Sequence, residues 1–166
     1  MTRTKALVAA LSAVAVVGAL AAGGVSAAGG SEAESGSLVG SWIVSVDRGP
    51  LGPLTSLVTY TEGHGSVETA NSGATLRTAS HGVWQRVAPR RFETTSMFFR
   101  IDPAAGGAFV GTLKLRMAIE LDRDGNSFSG VAVPELRDQN GDLLPGSNTR
   151  RDAISGTRMT VEPIPG

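Results

Sequence analysis

The chain has 166 residues, no cysteine, two histidines, and 15 basic residues against 15 acidic ones. Without thiols it can form neither a disulfide scaffold nor a thiolate metal site, and two histidines are too few for a multi-histidine centre, so no metal or other cofactor is expected. The balanced charge offers no footprint for nucleic acid, and aromatic residues at 5% are too sparse for a surface that stacks bases or sugars.

The chain begins with Arg3 and Lys5, followed by a run of Ala, Val and Leu from Ala6 to Ala22 broken only by Ser12 and Gly18. These are the charged and apolar regions of an export signal, ending in small residues rather than in the flanks of a membrane anchor. Two cleavage frames fit, Val25-Ser26-Ala27 and Ser26-Ala27-Ala28, and the first gives a signal peptide over residues 1–27. Its removal leaves 13 basic against 15 acidic residues, a net charge of −2. The mature protein is therefore expected to be secreted, either extracellular or held in the cell envelope, without stable insertion into a membrane. Residues 28–37, rich in Gly, Ser and Glu, are expected to form a flexible leader.

From residue 38 to 162, Gly and Pro recur between short runs rich in Val, Thr, Ile and Phe, and no helical stripe is sustained. The expected fold is all-β, a single antiparallel up-and-down β-barrel, followed by a tail over 163–166. Eight strands are expected: Leu38–Val46, Leu54–Glu62, Ser66–Thr69, Gly82–Val87, Arg91–Ile101, Ala108–Leu121, Ser127–Arg137 and Ala153–Val161. In the second, Tyr60 shares a face with Leu54, Ser56 and Val58; if that face points inward, its hydroxyl is a buried donor available to a ligand. Glu62-Gly63-His64-Gly65 reads as a turn, with His64 a turn residue before a functional one. In the fourth, Trp84 and Arg86 share one parity and form either an outer stacked pair or an interior contact.

The fifth expected strand places apolar residues on both faces. Phe92 and Phe98 share a parity with Thr94, Ser96 and Arg100, while Met97, Phe99 and Ile101 share the other. Either a bulge near Ser96 crosses it or the interior is partly polar. The sixth is the clearest: Phe109, Leu113, Leu115, Met117, Ile119 and Leu121 alternate with polar residues, and Gly111 breaks the dry row where a bent strand would turn a barrel corner. Phe99, Leu113, Leu115 and Met117, with Tyr60, are the expected ligand-binding residues. Asp124-Gly125-Asn126 and Asn140-Gly141-Asp142 are turns whose acidic residues lack the spacing of a calcium loop.

Gly40-Ser41-Trp42 near the start of the first strand and Arg158, within Ser155-Gly156-Thr157-Arg158 of the last, resemble the lipocalin and wider calycin arrangement. That resemblance implies that Arg158 packs across the Trp42 indole and closes the barrel floor. The long strands and Gly82-Val83-Trp84-Gln85-Arg86 also look like the eight-stranded barrels of the allene oxide cyclase type. No catalytic residue of either family aligns onto this chain. The expected function is interior binding of a small apolar molecule. The alternatives are a cofactor-free cyclase or isomerase that works by shaping its substrate, and a filled barrel that serves as a structural or interaction module. Oligomeric state is not legible.

Overall fold

The computed structural model describes residues 36–71 and 76–166, so the expected signal peptide and most of the expected leader lie outside the described residues. The described chain forms β1 (Gly40–Asp47), β2 (Leu54–Tyr60), β3 (Gly65–Ala70), β4 (Leu76–Arg77), β5 (Ser80–Ala88), β6 (Arg91–Asp102), β7 (Ala108–Leu121), β8 (Ser127–Arg137) and β9 (Asp152–Arg158). All pairings are antiparallel. β1 pairs with β2 on one side and with β9 on the other, and β6 pairs with β7, which closes the sheet. β4 and β5 both pair with β6, at Arg100 and Ile101 and from Met97 onward respectively, and together make one interrupted stave. The result is a closed, eight-stave, up-and-down barrel in which, among the described residues, every stave pairs with a neighbour on each side.

Alternation explains most of the walls. Trp42, Val44 and Val46 of β1 and Leu54, Ser56, Val58 and Tyr60 of β2 point inward and are buried, while their neighbours Ile43, Ser45, Leu57 and Thr59 are exposed. In β7, Leu115, Met117, Ile119 and Leu121 are buried at every second position. The period of two sets which residues face inward, although in β1 and β2 it turns Ile43 and Leu57 outward and Ser56 inward.

One open alternative is resolved and two expectations, for Phe99 and Phe109, need correction. β6 carries no irregularity near Ser96: Phe92, Thr94, Ser96 and Phe98 all face inward, so the mixed pattern reflects an interior that is partly polar. Phe99 is thereby turned outward, 57% exposed, and does not line the interior. The bulge sits instead where Arg100 pairs with Gly111 and Ile101 with Phe109, leaving Val110 as the extra residue of β7. Gly111, at φ +130°, takes the corner, and a side chain there would collide with the Arg137 carbonyl. The same bulge flips Phe109 out of the dry row onto the outer surface, where it meets Phe99 edge-on with ring centroids 5.9 Å apart.

The end of the expected leader is also built into the fold. Gly36 and Ser37 offer their carbonyls to Arg86 and Arg158, and Leu38 is fully buried.

Candidate functional site

The two ends of the barrel are built differently. At one end Trp42 is fully buried, its indole N–H donates to the Leu38 carbonyl at 2.9 Å, and the Phe128 ring lies 5.0 Å away. The Arg158 guanidinium stands 4.2 Å over the Trp42 ring and donates to the carbonyls of Gly125, Val39 and Ser37 at 2.9, 2.6 and 2.6 Å. One cation thus ties β9, the turn between β7 and β8, and the segment before β1 across the indole face. Tyr60, Trp84 and Phe92 continue the packing edge to face, with centroids 6.4 and 5.8 Å apart. Arg86 lies 4.7 Å over Phe92, which makes it a cap at the rim of this floor rather than the outer partner of Trp84. His64, at φ 62° in its turn, stacks on Trp84 at 4.7 Å; its place between two glycines does not leave the ring loose.

Between the two ends the interior divides lengthwise. β7, β8, β9 and β1 contribute Leu115, Met117, Ile119, Ala132, Ile154 and Val44 to a dry wall. β2, β3, β5 and β6 contribute Ser56, Ser66, Glu68, Ser80, Thr94 and Ser96, all buried. Glu68 accepts from the Ser56 hydroxyl at 2.7 Å and lies 3.5 Å from the Arg77 guanidinium. Burial pushes its pKa above the usual carboxylate range, with Ser56 and Arg77 pulling the other way. Burial, assisted by the Glu68 charge, also raises the Tyr60 phenol well above its ordinary value. Tyr60 Oη, Glu68 Oε2, Ser80 Oγ, Thr94 Oγ1 and Ser96 Oγ have no hydrogen-bond partner among the described residues. A buried polar atom left without a partner costs on the order of 1–3 kcal/mol.

At the other end the barrel opens into a pocket of about 290 Å³. Val46, Leu51, Leu54, Leu113, Leu115, Pro134 and Leu136 form its apolar lining. Arg48, Arg77, Arg100, Arg150 and Asp152 complete it. Arg77 lies 4.2 Å over the Phe98 ring and reaches back to Glu68, which stands behind it rather than in the lining. Arg150 grips Asp152 at 2.8 Å, and Arg48 donates to the carbonyls of Gly52 and Leu51 at 3.0 Å.

Of the residues expected to bind a ligand, Leu113 and Leu115 line this pocket. Tyr60 and Met117 are interior but deeper, and Phe99 is outside. The four arginines were missed. Arg100 carried a signal, since it shares its parity with Phe92 and Phe98; Arg77 lies in a two-residue strand with no periodicity to read. The acidic turns use their carboxylates on themselves: Asp138 Oδ1 accepts from the Asn140 and Asp142 amides, and Asp124 Oδ1 from the Asn126 amide. Among the described residues no group of three or more His, Asp or Glu gathers in a metal-binding arrangement.

The site and fold define a closed antiparallel β-barrel, consistent with a calycin-like small barrel, with one packed end and one open end. Comparison with family models, curated proteins and solved structures gave no match.

Proposed function

We propose that this protein is an exported binding protein that holds a small, largely apolar molecule in the open end of its barrel. The observation that carries the reading is the pocket of about 290 Å³ lined by aliphatic side chains from four staves, β1, β2, β7 and β8, and from the β1–β2 connection. It lies at the small end of the size range of ligand sites, about 300–1,000 Å³, and combines an apolar lining with a few convergent polar groups as such sites do. The packed floor supports the reading too, because the Trp42, Phe128 and Phe92 cluster lets the opposite end stay open without loss of the core.

The purified protein, incubated with a lipid extract and re-isolated by gel filtration, is expected to carry a small molecule detectable by mass spectrometry of the denatured sample. A hydrophobic fluorescent probe is expected to bind and to be displaced by the same extract. Leu113→Trp, which fills the pocket from its rim, is expected to abolish both signals while leaving the floor intact. Retention of nothing by the wild type, or undiminished probe binding by the variant, would sink the proposal.

A further inference from the structure

We infer that the barrel mouth selects an anionic amphiphile, a compact apolar body carrying one carboxylate or similarly charged head, and that Arg100 and Arg48 receive the head. The inference rests on the reading of the mouth as a ligand site and names the class of ligand. Four guanidinium groups line the pocket, and the carboxylates that face them are Asp152 in the lining and Glu68 behind Arg77. Asp152 is taken by Arg150, and Glu68 by Arg77.

Arg77 and Arg100 are register partners on adjacent antiparallel strands, and both line the pocket. Like charges placed directly opposite each other repel. Burial lowers the Arg77 pKa, Glu68 opposes that, and nearby Arg48 adds to the lowering. The Arg100 side chain makes no hydrogen bond or ion pair among the described residues, and the side-chain hydrogen bonds of Arg48 go to backbone carbonyls. A planar donor fork without an acceptor, set against two more cations, is the arrangement that a carboxylate satisfies in bidentate fashion. A neutral ligand would leave the repulsion unrelieved, and a cation would increase it. The aliphatic lining next to the arginines supplies the surface for an apolar body. The pocket holds on the order of ten non-hydrogen atoms, at about 30 Å³ each.

Calorimetric titration of the purified protein at low salt with octanoate, 1-octanol and octylammonium tests this. Octanoate is expected to bind more tightly than 1-octanol by about tenfold or more, as one hydrogen bond to a charged group supplies, with octylammonium weakest. Arg100→Met is expected to abolish the preference, so that the variant binds octanoate no more tightly than it binds 1-octanol, and its far-ultraviolet circular dichroism and cooperative thermal unfolding certify that it is folded. Equal wild-type affinity for octanoate and 1-octanol overturns the anion selectivity but leaves the pocket a ligand site. An Arg100→Met protein that keeps the full octanoate preference overturns the role of Arg100. Failure of all three compounds to bind overturns both this inference and the reading beneath it.

Discussion

The floor and the mouth of this barrel use the same pair of residue types to opposite ends. At the floor, Arg158 lies over Trp42 and directs its donors to three carbonyls, so the cation seals a packed end. At the mouth, Arg77 lies over Phe98, and the arginines around it face a pocket. An arginine over an aromatic ring is therefore no signature of closure by itself. What decides is whether carbonyls or open space meet the remaining donors.

The contrast can be broken most strongly at the floor. Trp42→Ala removes the largest fully buried side chain and is expected to cost about 3–5 kcal/mol, the range for large-to-small changes at buried aromatics; chemical denaturation measures it. Arg158→Met removes three hydrogen bonds from a charged donor and the cation–π contact, and about 2–3 kcal/mol is expected. Arg100→Met at the mouth is expected to change stability by less than about 0.5 kcal/mol, or to raise it, because the side chain there faces other cations. If Arg100→Met and Arg158→Met destabilise alike, the two ends do not differ as described.

The lengthwise division of the interior is sharpened by Thr94→Val, which replaces an unpartnered buried hydroxyl with a methyl of the same shape. A gain of about 1 kcal/mol is expected, and thermal unfolding reads it; a loss of that size would mean that the hydroxyl is satisfied.

Smaller effects separate the interior charge from the surface. Glu135 of β8 is gripped by Lys114, Arg116 and Arg137, and the hydrogen bonds from Arg137 and Lys114 hold its pKa below the usual range. Its contribution to stability is present above the ordinary carboxylate range and is lost as pH falls through the folded value; for such a cluster, about 1 kcal/mol at most is expected. Glu68, raised by burial, has the opposite sign: its contribution is present at low pH and is lost as pH rises through its folded value. Between pH 4 and 8, the Tm of Glu135→Gln should fall further behind the wild type as pH rises, whereas that of Glu68→Gln should gain on it.

Much of this architecture was legible in the sequence. The limits of β7 and β8 are those expected, because strict alternation frames Asp124-Gly125-Asn126, a turn whose backbone needs Gly125 at φ +72°. The resemblance to the calycin arrangement, carried by the Gly-x-Trp opening and a late arginine, implied that Arg158 packs across Trp42, and the guanidinium lies over the indole. The polar wall was not legible, since Ser56, Glu68, Thr94 and Ser96 break the rule that sorts inside from outside. Nor was the mouth. Arg48, Arg77, Arg100 and Arg150 come from parts of the chain that only closure brings together, and the bulge at Val110 turned Phe109 away from the face its spacing assigned.

One end of the barrel is packed, and the other is proposed to receive a ligand. The most direct test is a methyl-resolved NMR titration with a hydrophobic probe. Shifts are expected at Val46, Leu54, Leu113, Leu115 and Leu136, and none at Leu38 and Leu121 by the floor. Shifts that favour the floor methyls, or no shifts at any methyl, would contradict the proposal.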